Sequence, residues 1–302
     1  MNLIINTIIF LIVLFFYLHI VLHLKTCDDL EIYQIDTPSK EELEEVCDLR
    51  QPLIFSMDNR LNTIIRKENL LDNYGAFDIK IRNIKEDLDD ENELYLDLVL
   101  NNATSLLERD DKSTYICENN ADFIEETTLQ KVFNQNDLFL RPSMVATCNY
   151  DIMFGSKGAS TPFRYELSYR NYFLVTEGKV KIRLAPPKSK KYLDVINDYE
   201  NFEFRSPVDP WNTQKKYSNQ FDKIKCLDIE VAEGQLAYIP AYWFYSIQYD
   251  APSTICCLKY KPYMNVLAIS PQLFMRFLQN KNIKRNSVRL ANSLKEYKKN
   301  KV

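Results

Sequence analysis

Histidine is almost missing from this chain of 302 residues: there are two, His19 and His23, and both fall inside an apolar stretch near the N-terminus. Serine–histidine and cysteine–histidine catalysis are therefore excluded from everything after residue 24. So is any metal site built on imidazole. Glycine is scarce as well, with 5 residues. Loops must then turn with Asn, Asp and Pro, and no glycine-rich loop able to cradle a phosphate is present. The cysteines, Cys27, Cys47, Cys117, Cys148, Cys226, Cys256 and Cys257, include no CxxC spacing. Scattered, odd in number and without companion histidines, they point to neither a zinc site nor a disulfide framework. Cys256-Cys257 lies in a strand-like run and reads as core rather than as a redox pair.

What the chain does have is apolar and aromatic bulk. Apolar residues make up 46%, with 19 Tyr and 17 Phe, ample for a packed core. Beyond the N-terminus there is room for one large domain or two small ones. The bias toward Asn, Ile, Lys and Tyr points to an AT-rich genome, such as that of a large DNA virus or a protist. The net charge of −4 is unevenly spread. Residues 28–126 are acidic, with runs at Glu41-Glu42-Leu43-Glu44-Glu45 and from Glu86 to Glu93, whereas from Arg276 to Lys301 nearly every charge is basic. Solvated faces account for both, and the basic tail also suits an acidic partner or an anionic membrane surface. The acidity of the body argues against nucleic-acid binding despite the aromatic strands and basic tail.

Residues 3–24 form an apolar run with no Asp, Glu, Lys or Arg. As a helix this run rises roughly 33 Å, against about 30 Å for a bilayer core. A cleavable signal would bring a basic leader, a shorter apolar core and a small-residue cleavage site. The sequence predicts instead an uncleaved, single-pass membrane anchor over residues 1–25. His19 and His23, four residues apart, share one helix face near its end and suit the headgroup boundary. Charge does not fix the orientation, because Lys25 is followed by acidic residues. Asn102-Ala103-Thr104 is a glycosylation sequon, informative if the domain is lumenal.

After the anchor, residues 26–140 read as an acidic α+β part. Pro38-Ser39-Lys40-Glu41-Glu42 opens a helix, with Ser39 at its N-cap and acids in the first turn. Leu53-Ile54-Phe55 follows as a short buried strand, residues 58–73 as a second helix, Gly75 to Leu100 as charged strand, and residues 120–140 as helix and loop. From about residue 148 to 262, short alternating runs with turn signals predict an antiparallel β-sandwich or barrel. The runs are Tyr172-Phe173-Leu174-Val175, residues 180–184, 227–231 and 236–239, and Thr254-Ile255-Cys256-Cys257-Leu258. We set this β core at 141–265. Residues 266–302 read as a basic helical segment with Leu273, Phe274, Phe277 and Leu278 on its apolar face.

Three stretches of the β core, in order, carry a resemblance. The first runs from Asp151 through Thr161-Pro162-Phe163-Arg164-Tyr165-Glu166. The second runs from Asn171 through Gly178-Lys179-Val180-Lys181 to Pro186-Pro187. The third runs from Val231 through Gly234 and Ile239-Pro240-Ala241-Tyr242-Trp243-Phe244-Tyr245. Together with Ser206-Pro207-Val208-Asp209 and the early Arg50-Gln51-Pro52-Leu53-Ile54, they resemble the JmjC and cupin-like family of iron- and 2-oxoglutarate-dependent oxygenases. The resemblance covers most of residues 40–262. It implies a mainly β fold with flanking helices, a double-stranded β-helix of the cupin or jelly-roll kind.

The family's metal site carries a Thr-Pro-x-His-x-Asp motif and a second His after an Ile-Pro-x-x-Trp turn, a facial triad that holds Fe(II). Here those positions are Arg164, Glu166 and Tyr245. Arginine stays protonated and offers no lone pair. The expectation is that Arg164 replaces the metal's charge and pairs with Glu166, two residues along the same strand, with Tyr245 adding its hydroxyl. Where the family places a lysine on the far carboxylate of 2-oxoglutarate stands Val180. Lys179 and Lys181 flank it and, by alternation, point outward. Thr161 matches a residue that often contacts that carboxylate, or it simply packs.

The resemblance therefore implies a membrane-anchored, catalytically inactive member, with neither Fe(II) nor 2-oxoglutarate as cofactor. Such a module would bind an unidentified protein or peptide, or a small anion through Arg164. Its C-terminal helices would be a candidate homodimer surface. Two alternatives stand beside it. One is an active 2-oxoglutarate-dependent hydroxylase or demethylase that draws on Glu166 with Asp, Cys or Tyr ligands. The other is an unrelated β-sandwich binding module, lectin- or capsid-like.

Overall fold

The computed structural model describes residues 2–85, 95–250 and 252–282. The acidic run at Glu86–Glu93 and most of the basic tail lie outside the described residues. Two β-sheets face each other, helices cover the larger one, and a long helix stands clear of both.

That helix, α1 (Asn2–Leu24), is long and apolar enough over Leu3–Leu24 to cross a membrane, and none of its most apolar window is buried. Its last turns touch the domain, where the His23 ring packs 4.8 Å from that of Tyr169.

β1 (Tyr33–Ile35), α2 (Lys40–Asp48) and β2 (Leu53–Ser56) follow. Helix α2 starts where the sequence predicts. The Ser39 hydroxyl accepts the Glu42 N–H at 3.2 Å, and the Glu42 carboxylate accepts the Ser39 N–H at 2.8 Å, a reciprocal cap that satisfies two otherwise free donors. The single helix expected over 58–73 is instead two, α3 (Leu61–Ile64) and α4 (Lys67–Tyr74). The break has a cause in packing. The Ile65 carbonyl accepts the Thr176 hydroxyl at 2.6 Å, Arg66 is extended, and the Lys67 N–H turns to the Glu177 carboxylate at 3.0 Å.

β3 (Asp78–Asn83), β4 (Leu96–Val99), α5 (Leu100–Arg109), β5 (Tyr115–Cys117), α6 (Ala121–Glu126) and α7 (Leu129–Asn136) complete the N-terminal part. The strands after it are β6 (Val145–Gly155), β7 (Arg164–Tyr165), β8 (Arg170–Glu177), β9 (Lys179–Ala185), β10 (Ile196–Asp198) and β11 (Glu203–Arg205). A short helix α8 (Ser218–Phe221) precedes β12 (Leu227–Ala232), β13 (Gln235–Tyr238), β14 (Phe244–Tyr249) and β15 (Thr254–Pro262). Helix α9 (Tyr263–Ala268) then packs against α1, and residues 270–282 form a further helix.

The larger sheet runs β1-β2-β13-β8-β15-β6-β5-β3-β4, and the smaller runs β10-β11-β7-β14-β9-β12. Strands from the expected 26–140 and 141–265 segments thus share one sheet. Alternation along β15 explains the layering. Cys256, Leu258 and Tyr260 face the helices, while Ile255 and Cys257 face the other sheet. The space between the sheets is filled at one end by Val180, Ile182, Val231, Ile247 and Trp243, all fully buried.

Two glycines are required by this geometry. Gly178 turns β8 into β9 at φ +80, a conformation that suits glycine. At Gly155 a Cβ would sit 2.1 Å from the Tyr249 ring, so only a bare backbone fits there.

Candidate functional site at the mouth of the barrel

The other end of the inter-sheet space is charged. Strand β7 has two residues and lies between β11 and β14, setting Arg164 opposite Arg205 on one side and Tyr245 on the other. The side chain of Arg164 is buried, and it does not pair with Glu166 as expected. Its guanidinium donates instead to Glu118, at 3.1 and 2.5 Å, and to Glu203 at 2.9 Å. Arg82, on β3, donates to the same two carboxylates at 3.0 and 2.9 Å, and Arg205 reaches Glu203 at 3.1 Å. Arg82 and Glu118 belong to the larger sheet's end and Arg164 and Glu203 to the smaller sheet, so the cluster ties one sheet to the other.

Glu166 forms a second tie. It accepts the Lys259 ammonium at 2.7 Å and the Tyr245 hydroxyl at 3.1 Å. The Arg164 guanidinium lies 5.8 Å from the Tyr245 ring, close enough for a cation–π contact. Tyr245 therefore stands between the two groups. The expected Arg164–Glu166–Tyr245 cluster is brought together in space but wired differently, because each charge finds a better-placed partner from the opposite sheet.

Burial alone would push the Glu203 carboxyl up, but the Arg82 and Arg164 guanidiniums overcome it and hold it at about 2. Glu118 is held down in the same way by Arg164 and Arg82. For Glu166, burial is outweighed by Lys259 and then Arg164, so it too stays ionised. Burial raises the Tyr245 phenol and Glu166 adds to it, keeping the hydroxyl protonated as a donor.

These residues do not fit Fe(II). The first ligand position holds a cation tied to two carboxylates, the second a carboxylate already neutralised by Lys259, and the third a protonated phenol. Among the described residues, no group of three or more His, Cys, Asp or Glu side chains is arranged to hold a metal ion. The co-substrate positions fit no better. Val180 is fully buried among aliphatic side chains. Lys179 is exposed and paired with Glu230, and Lys181 reaches Asp250 at 3.3 Å on the outer face. The Thr161 hydroxyl accepts the Ile247 N–H at 2.9 Å, which makes it a backbone brace.

Arg82, Glu118, Glu203 and Lys259 escaped the sequence reading. Glu118 sits in the acidic region read as solvated. The available signal was charge inside apolar strand runs, Ile81-Arg82 and Glu203-Phe204-Arg205.

Two facing, mainly antiparallel sheets with helices on one side and a polar site at one end of the space between them define a double-stranded β-helix of the cupin class. The two sheets stay separately hydrogen-bonded and do not close into one barrel. A family model described as cupin-like domain matches residues 58–260, more than half of the sequence, and the chain belongs to that family. No curated protein matches the sequence.

Proposed function

We propose that this is a membrane-anchored cupin-like module without oxygenase chemistry, in which ion pairs stand where the family keeps its metal. The observation that carries this reading is Arg164: a buried guanidinium at the first ligand position, its charge met by Glu118 and Glu203. A cation there repels Fe(II), and the cluster supplies the cross-sheet tie that a metal would otherwise give. The exposed apolar helix Leu3–Leu24 supports a single-pass anchor over residues 1–25, leaving the cupin-like body as a binding module for a protein, peptide or small ligand. Phe274, Phe277 and Leu278, exposed on the helix over 270–282, favour a contact between two copies at this end; residues 283–302 lie outside the described residues.

Metal analysis of the full chain, purified anaerobically and supplied with Fe(II), tests the reading together with succinate release from 2-oxoglutarate. Substoichiometric iron and no succinate are expected. Stoichiometric iron with turnover would mean an oxygenase drawing on Glu166 and other ligands, and would overturn it.

A further inference from the structure

Matching the charges of the mouth to their partners leaves two unmatched. Glu118 and Glu203 are taken by Arg82 and Arg164, and Glu166 by Lys259. Asp151 accepts the backbone N–H groups of Asn119, Asn120 and Ile152 at 2.7–2.8 Å. Lys261 and Arg276, which line the same cavity of about 180 Å³, have no carboxylate within salt-bridge distance among the described residues. Lys261 follows Lys259 by two residues on β15 and shares its face. Its ammonium has one long contact, 3.4 Å to the Asn149 side-chain oxygen. Arg276 reaches the cavity from the helix over 270–282, its guanidinium 5.1 Å from the Phe202 ring. Burial pushes the Lys261 ammonium down to about 8; Glu166 opposes this, while Lys259 and Arg276 add to it. A half-buried cation without a counter-charge is unfavourable, and an anion seated beside it relieves that.

We propose that the mouth of the barrel is an oxyanion site, in which Lys261 and Arg276 together hold a phosphate or carboxylate group of a small ligand. The ammonium supplies a point charge, and the guanidinium a planar fork that matches two oxygens. The charge of Arg164, the residue expected to hold an anion, is already met by Glu118 and Glu203, so the role passes to the rim. The anion has two sources with the same chemistry, a soluble metabolite or a lipid headgroup. The second arises because Phe274 and Phe277 flank Arg276 in exposed positions and α9 packs against α1.

The probe is pyridoxal 5′-phosphate, which carries both an aldehyde and a phosphate. At pH 8 the neutral fraction of Lys261 attacks the aldehyde carbon, a C–N bond forms and the carbonyl oxygen leaves as water. Borohydride then adds hydride to the imine and fixes it as a secondary amine. The full chain is labelled in phosphatidylcholine bilayers with and without phosphatidic acid, and peptides are read by mass spectrometry. Lys261 is expected to label ahead of exposed lysines such as Lys157. Arg276→Gln, on an exposed helix position that leaves the fold intact, is expected to cut that labelling about tenfold, the loss of one charge-assisted contact. Protection of Lys261 by inorganic phosphate assigns the site to a soluble anion, and protection by phosphatidic acid alone assigns it to a headgroup. Labelling of Lys261 no faster than Lys157, or labelling indifferent to Arg276→Gln and to both competitors, overturns the proposal. The inference rests on reading the body as a binding module, but iron loading tests that reading separately and its result leaves the Lys261 outcome unchanged.

Discussion

The two ends of the inter-sheet space are built on opposite principles. At one end Val180, Ile182, Val231, Ile247 and Trp243 interlock with no charge among them. At the other, Arg82, Arg164, Glu118 and Glu203 are nearly as deeply buried, and all four are charged. The apolar end gains from area removed from water, a contribution that changes in small steps as atoms are removed. The charged end is a balance between large desolvation costs and large attractions, so it tolerates joint replacement far better than the loss of a single member.

The largest expected effect follows from that imbalance. Arg164→Met leaves Glu118 and Glu203 facing each other with Arg82 as their main counter-charge, and should destabilise the fold by about 3–5 kcal/mol. Replacing Arg82, Arg164, Glu118 and Glu203 together by apolar residues of similar volume should recover most of that loss. Chemical denaturation of the two variants reads the difference directly, and a quadruple variant weaker than the single one would contradict the comparison.

Acid should separate the ends next. Glu203 and Glu118 have folded-state values below the ordinary carboxylate range. Their contribution is fully present above about pH 4.5, where the unfolded carboxyls are also ionised. It drains away as pH falls toward about 2, the value at which Glu203 itself takes up a proton. Thermal unfolding followed from pH 5 to pH 2 should show that loss in the parent chain and a flatter profile in the quadruple variant.

Smaller effects test the dry end and the outer face. Ile182→Val removes one buried methylene and should cost about 1 kcal/mol with no pH dependence. Lys179→Ala, on the outer face, should leave stability unchanged in the same denaturation assay, although it adjoins the position where related oxygenases keep a lysine. A clear loss there would place Lys179 in the interior and overturn the register of β9.

Much of the fold was legible because it is local. Residues 172–175, 180–184, 227–231, 236–239 and 254–258 fall inside or overlap β8, β9, β12, β13 and β15. The Ser39 cap was legible for the same reason, since both partners lie within one turn. The split between α3 and α4 was not. The Thr176 hydroxyl that captures the Ile65 carbonyl comes from a strand more than a hundred residues away. The site divides along the same line. The family resemblance singled out Arg164, Glu166 and Tyr245 together, and in the structure Tyr245 lies between the other two. Their counter-ions Glu118, Glu203 and Lys259 come from other strands, and nothing in a linear pattern pairs them. Glu118, in particular, follows the strand-like Tyr115-Ile116-Cys117 inside an acidic region, and among that region's described carboxylates it alone is buried.

The cross-sheet ion pairs also constrain how this protein can be dissected. Arg82 and Glu118 arrive from the chain's first half and Arg164 and Glu203 from its second. A fragment cut at residue 141 would strand Arg164 beside a single glutamate and strip β6 of its neighbour β5. The match to the cupin-like family begins at residue 58, ahead of both early partners. The two sheets and the acidic prelude thus share one set of contacts, and both halves of the chain are needed to complete it.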